Sequence, residues 1–378
     1  MENQEDTSLS QAFISIPDPR QVWKVEHNLV EMLIIAVAAV LSGADSFTEI
    51  EAWAEAKIDW LRQYLVLTNG IPSHDTFGRL FAMIDPQKFE QAFRQWIGSA
   101  VPSIGAQVIA IDGKTSRRTS NKIDKTPLHL VSAFAAGSSI VIGQKATDVK
   151  SNEKKAIPEL LATLAIKGCT VTIDAMGTQA NIAQAICDKE ADYVLAVKDN
   201  QPLLAESIRD FHDIFQQEKD KTPHSVAETV EKDHGRIEVR RCYAFNQTEC
   251  LSKPEQWTNL KSFCVIESER TMNGKTTFER RLYISSLPAD ASQLLASVRA
   301  HWSVENSLHW CMDVAFNDDQ SRMRTDFAAH NFAVVKHIVL NLIRLHQSDK
   351  KRSIKIKRLR AASLDDFRAE IMGLLVAI

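Results

Sequence analysis

Val108-Ile-Ala-Ile-Asp112-Gly-Lys114 and Cys169-Thr-Val-Thr-Ile-Asp174-Ala-Met-Gly177 decide how this chain is read. Each is a short apolar run that stops on a lone carboxylate. Such runs predict buried strands. Alternation along the second puts Thr172 with Asp174 on one face and Val171 with Ile173 on the other. An acid at the end of a buried strand is a turn former, a helix N-cap or a functional group, because a bare carboxylate is costly to remove from water. Two such strands, each followed by a glycine-containing turn (Gly113, Gly177), leave these readings open.

A third acid shifts the balance. Glu305 lies in His301-Trp-Ser-Val-Glu-Asn-Ser-Leu-His-Trp310, and Val298, Trp302, Glu305, His309, Met312 and Phe316 recur as a core-facing helical stripe. Glu305 is therefore expected on the buried stripe, met there by a buried Arg or His or by a metal. Three converging carboxylates would make a hard-oxygen site for Mg²⁺ or Mn²⁺, the chemistry of cutting and joining phosphodiesters. His301, Glu305 and His309, at i, i+4 and i+8, also permit a zinc reading, although no H-E-x-x-H occurs.

Outward from these motifs, residues 1–100 read as helical. His27–Leu41 predicts an apolar core helix, Ser46 or Thr48 caps the next one, and Ser73 starts another. Helices carrying Phe77, Leu80, Phe81, Phe89, Phe93 and Trp96 suit either a helix-turn-helix DNA reader or a plain bundle. Strands are expected at Val108–Asp112, Leu128–Ala135 and Ile140–Ala146, then a helix over Lys154–Leu164 with Pro158 near its first turn. A strand to Asp174, a helix over Ala180–Lys189 and a strand over Tyr193–Val197 complete a mixed α/β sheet in residues 101–222. Both acids then fall at strand C-termini, where open sheets place ligands.

Residues 223–288 read as a β-rich insertion, with strands at Val239–Tyr243, Phe263–Glu267 and Arg280–Ser285 and a turn at Asn273-Gly274. Residues 289–348 hold a helix opening at Asp290-Ala-Ser-Gln293 and running through Trp310, then one over Phe327–His346. Residues 349–378 begin with the basic run Lys350–Arg360, which suits DNA or a solvated helix. Candidate phosphate contacts are Lys114 beside Asp112, Lys198 at the strand end after Asp174, and Arg236 and Arg240, which share a strand face near Arg241. A solvated edge strand explains those arginines equally well.

The bulk properties exclude little. A chain of 378 residues with 44% hydrophobic and 25% charged residues is an ordinary globular protein, and a net charge of −3 does not advertise nucleic acid. The six cysteines lack ligand-like spacing and read as reduced core thiols. Met32–Ala44 is too short to span a bilayer and the acidic N-terminus lacks a signal pattern, so a cytoplasmic protein without a membrane partner is expected.

At Ile111-Asp-Gly-Lys, Thr172-Ile-Asp-Ala-Met-Gly, Val197-Lys-Asp-Asn-Gln and the Glu305 helix, the chain resembles the DDE insertion-sequence transposases, specifically the H-repeat-associated group. Pro17-Asp-Pro-Arg, Trp23-Lys-Val-Glu-His, His234-Gly-Arg, Phe316-Asn-Asp-Asp and Asn331 extend the likeness nearly end to end. The resemblance implies a ribonuclease-H-like core with a β-rich insertion and a helical N-terminal domain. It implies Asp112, Asp174 and Glu305 as a triad holding Mg²⁺ or Mn²⁺, double-stranded DNA as substrate, and a homodimer on DNA. The wider superfamily often carries Tyr, Arg and Lys around the glutamate. Here Val298, His301 and Met312 stand at those positions, which leaves His301 and His309 as candidate DNA contacts. The rival readings are a DNA-binding protein without catalysis and a metal-dependent nuclease that does not join strands.

Overall fold

The computed structural model of the protein describes residues 8–101, 104–120, 126–147, 152–233, 235–349 and 351–374. His234 and Lys350, named in the motifs above, lie outside the described residues.

The N-terminal part is helical as expected: α1 (Leu9–Ile14), α2 (Leu29–Leu41), α3 (Phe47–Ala56), α4 (Ile58–Leu61), α5 (His74–Met83) and α6 (Pro86–Ala100). Side-chain oxygens start the helices by taking otherwise unpaired backbone N–H groups. Ser46 accepts from Glu49 and Ser73 from Thr76, each at 3.3 Å, and Asp85 accepts from Gln87 at 2.8 Å. Helix α2 is apolar on nearly every side and buried over almost its whole length.

The sheet carries β1 (Val108–Thr115), β2 (His129–Ala135), β3 (Ile140–Thr147), β4 (Thr170–Ile173) and β5 (Asp192–Val197). The order is β3-β2-β1-β4-β5, with β1, β2 and β3 antiparallel and β4 and β5 parallel to β1. This is the ribonuclease-H-like arrangement. Helices α7 (Glu153–Ala162) and α8 (Ala180–Cys187) accompany β4 and β5. Pro158 sits inside α7 rather than in its first turn, so it removes one interior hydrogen bond.

Beyond β5 the expectation of a separate insertion changes. Helix α9 (Pro202–Gln217) and strand β6 (Ser225–Asp233) precede β7 (Arg236–Phe245), β8 (Ser262–Met272) and β9 (Lys275–Ser285). Strand β9 pairs antiparallel with β5, so the sheet continues as β5-β9-β8-β7-β6 through nine described strands. The inner halves of β7, β8 and β9 are buried and apolar, while their outer halves are charged and exposed. Apolar patterning therefore marked only the inner halves as strands.

The chain closes with α10 (Ala291–Ser303), a π-helical turn over Val304–His309, α11 (Trp310–Phe316), α12 (Ala328–Leu345), α13 (Ile354–Ser363) and α14 (Asp365–Met372). One apolar cluster runs from the N-terminal helices through the sheet to α12. Asn331 on α12 is fully buried and donates to the Phe81 and Ile84 carbonyls at 2.8 and 2.9 Å, tying α12 to the end of α5. Part of the basic tail also turns inward. Arg358 is buried, donates to the Val40 carbonyl at 2.7 Å and pairs with Asp45 at 3.0 Å. It thus satisfies the open carbonyl end of α2. Among the described residues no helix is long and apolar enough to cross a membrane.

Candidate active site

Asp112 does not end its strand; β1 continues to Thr115, and Gly113 lies within it. What ends is the parallel pairing with β4, whose last partners are Ile111 and Ile173. Asp112 and Asp174 are the next residues on the two chains, so sheet register places them side by side. Asp174 is also an N-cap, since its Oδ1 accepts from Gly177 N at 3.2 Å. The turn-former reading and the functional reading thus apply to the same residue.

Strand pleating sends Asp112 and Gly113 to opposite faces. Behind Gly113 lies a buried pair, His129 Nε2 and Glu153 Oε1, 2.6 Å apart. A Cβ on Gly113 would stand 2.6 Å from that imidazole nitrogen and 2.9 Å from Glu153 Cδ. Only glycine fits.

Glu305 corrects the helical-stripe expectation. It is exposed, whereas Val304, Leu308, Cys311, Met312 and Phe316 are buried. The π turn over Val304–His309 is the cause. It holds one residue more per turn than the α-helical register assumed, which rotates Glu305 off the core stripe. The carboxylate instead lines a cavity of about 710 Å³ with Asp112 and Asp174. Lys198, Arg209, Arg280 and Arg281 line the same cavity.

Burial and the neighbouring carboxylates raise the proton affinity of Asp112. Burial pushes the Asp112 carboxyl up to about 7; the Asp174, Glu305 and Glu153 carboxylates add to the push and the Gly113 N–H opposes it. His309 Nδ1 is 3.6 Å from Asp112 Oδ2, and burial lowers this histidine to about 4. His301 Nδ1 lies 2.9 Å from Thr172 Oγ1 and is likewise lowered to about 4 by burial. Both rings are neutral at pH 7, so neither offers a charge to phosphate. Oxygen donors of this kind suit a hard divalent cation. Among the described residues, however, no group of three His, Cys, Asp or Glu side chains is arranged to hold a metal ion, either for the triad or for the zinc reading.

The expected basic contacts divide. Lys198 is exposed at the cavity mouth. Lys114 is instead tied into an internal ion cluster, 2.7 Å from Asp313, 3.4 Å from Asp318 and 3.3 Å from Asp319. Arg240 is held between Glu231 at 2.9 Å and Glu238 at 2.5 Å, and Arg236 stands 3.8 Å from Glu238. Arg236 and Arg240 do share a face, as alternation required, and both line a second cavity of about 330 Å³. Sequence reasoning missed Arg209, Arg280 and Arg281. Arg281 packs its guanidinium 4.6 Å from the Trp302 ring centroid, at the border between the two cavities. The double arginine in β9 was the available signal.

Residues 103–342 match the protein family described as "Transposase DDE domain", and residues 10–97 match one described as "DDE_Tnp_1-associated". Over 366 residues the chain is 39% identical to "H repeat-associated putative transposase YhhI" of Escherichia coli (strain K12), a match covering 95% of this chain and 96% of that protein. It is 47% identical over 64 residues to "Inactive transposase YbfQ" of the same organism, covering 17% of this chain and 76% of that one. Among solved structures, a piggyBac transposase synaptic complex with hairpin DNA aligns with 99% of this chain and 82% of that chain, at 11% identity and a TM-score of 0.45. That likeness is too distant to carry an argument.

Proposed function

This chain belongs to the DDE transposase family, and from that premise we propose that it cleaves DNA at the ends of a mobile element and transfers the freed end into target DNA. One observation carries the reading: Asp112, Asp174 and Glu305 line a single cavity that Lys198, Arg209, Arg280 and Arg281 also line. A phosphodiester seated there would be met first by Lys198, since Arg209, Arg280 and Arg281 are paired with Asp199, with Asp213 and Glu267, and with Glu279. The triad would hold Mg²⁺ or Mn²⁺, which when bound supplies Lewis-acid activation of the attacking oxygen and stabilises the leaving one.

The protein's own groups do the positioning. Lys198, the residue after β5, would hold the phosphate, joined by Arg209 of α9 if it leaves Asp199, 3.3 Å away. Arg281, stacked on Trp302 and paired with Glu279 at 2.8 Å, keeps the cavity wall in a fixed shape. The Thr172–His301 contact fixes the Glu305 helix against β4. Double-stranded element ends and target DNA are the substrates of this reading, and a homodimer would pair two ends.

A supercoiled donor carrying element ends should be nicked at those ends in Mg²⁺, and Asp112→Asn should abolish nicking; equal activity in the variant removes the mechanism. The alternative reading is DNA binding without catalysis. Binding that survives EDTA, with no cleavage on adding Mn²⁺, would support it. A joining assay separates a transposase from a nuclease that shares only the first step.

A further inference from the structure

Apart from exposed Arg270, the arginines of the outer sheet, and Arg299 of α10 beside it, stand within ion-pair distance of carboxylates. Arg240 pairs with Glu231 and Glu238, Arg241 with Glu228, Arg280 with Glu267 and Asp213, Arg281 with Glu279, and Arg299 with Glu231. A phosphate reaching them would first have to displace a carboxylate. Another group of arginines is not neutralised. Arg79 on α5, Arg118 after β1, and Arg322 and Arg324 between α11 and α12 are exposed, and none has a carboxylate within ion-pair distance among the described residues.

Three of these side chains meet at one place. Arg79, Arg322 and Arg324 line a cleft of about 580 Å³ between the N-terminal helices and the loop leading into α12. Arg324 Nε donates to the Arg118 carbonyl at 3.0 Å, which braces that loop against the loop following β1. The loops are also anchored from beneath. Buried Asp318 accepts from Lys336 Nζ at 2.8 Å and Ser116 Oγ at 2.7 Å, while Asp319 lies 3.3 Å from both Lys114 Nζ and Arg117 Nε. Lys114 is two residues beyond Asp112 on β1, so the brace is continuous with the strand that bears the site. Asp45, at the cleft wall, is engaged by Asn317 at 2.6 Å and Arg358 at 3.0 Å, leaving Asp75 and Asp326 as the opposing exposed acids.

We propose that this cleft is a sequence-independent binding surface for the DNA phosphate backbone, and that it carries more of the chain's electrostatic affinity than the outer-sheet arginines do. The proposal rests on the DNA reading above and assigns its main phosphate-binding surface. Uncompensated guanidinium groups on a braced support project a field into solvent, and paired ones do not. Each phosphate they neutralise releases counterions and steepens the salt dependence of binding.

The test is fluorescence anisotropy of a labelled random-sequence duplex with the full chain in EDTA, measured across a salt series. Arg322→Gln with Arg324→Gln should weaken binding about tenfold near 0.1 M salt and lower the log–log slope by about 2, roughly 0.9 for each phosphate left without its guanidinium. Arg79→Gln, on a separate element, should lower the slope by about 1 on the same arithmetic. Arg236→Gln with Arg240→Gln should change the slope by less than half the first amount. Unchanged affinity and slope in the Arg322/Arg324 variant, or a larger loss in the outer-sheet variant, overturns the proposal while the DNA reading stands. A wild-type chain that binds no duplex at any salt overturns both. Arg79→Gln should melt with the wild type, since that side chain is exposed and unpaired among the described residues, and each double variant is compared at a temperature where its melting curve shows it fully folded.

Discussion

At the level of single residues, the site is built from groups that cost stability. Asp112 has an ordinary carboxyl value of 3.8 and is pushed up to about 7 in the fold. Folded protein therefore holds this proton more tightly than unfolded chain does. Its contribution favours folding at pH below 4 and is lost as pH rises through 7, by at most about 4 kcal/mol at about 1.4 kcal/mol per pKa unit. In EDTA, Asp112→Asn should accordingly melt higher than wild type at pH 8 and lose that advantage at pH 4. A variant that melts lower at both pH values would show that the carboxylate is already compensated. Gly113→Ala acts through space instead. Its Cβ would press on the buried His129–Glu153 pair, and such overpacking costs about 1–3 kcal/mol and should displace Asp112. The expected result is a lowered denaturation midpoint together with reduced nicking. Asp112 and Asp174 were legible because lone acids on apolar runs are conspicuous. The role of Gly113 was not, because the Glu153 and His129 behind it arrive from distant segments.

Among the elements, the strands and helices near the site followed their apolar patterns and caps, and two departures have physical causes. Glu305 left the predicted stripe because a π turn cannot be seen in a periodicity that assumes α-helical spacing. Strand β6 escaped notice because it is the sheet's edge strand, with Val226 and Val230 exposed and Glu228 between them. Helix α9 was overlooked although Leu204, Ile208 and Phe215 form its buried face. The basic tail was read by charge alone, yet Arg358 serves the interior. Arg358→Met should destabilise the protein by about 3 kcal/mol, since it leaves buried carbonyls and Asp45 without their donor. Chemical denaturation would measure that loss.

Across the whole molecule, the continuous sheet and shared core join regions that the sequence divided. The boundary at residue 223 is crossed by the β5–β9 pairing, and the N-terminal helices pack on α12 through Asn331. Long-range pairings of this kind leave no mark in local patterning, whereas the resemblance in motif order already pointed to the core arrangement. If the triad binds a divalent cation, the cation should stabilise the fold as a ligand, by about 2.7 kcal/mol at a hundredfold excess over its dissociation constant. Mn²⁺ should thus raise the melting temperature of wild type but not of Asp174→Asn, and an equal rise in both would put the ion elsewhere. The most decisive experiment is the anomalous scattering of Mn²⁺ in crystals of the full chain bound to uncleaved element-end DNA. Manganese is expected between Asp112, Asp174 and Glu305 and against the scissile phosphate. Manganese bound elsewhere, with these carboxylates left apart beside bound DNA, would refute catalysis by the triad.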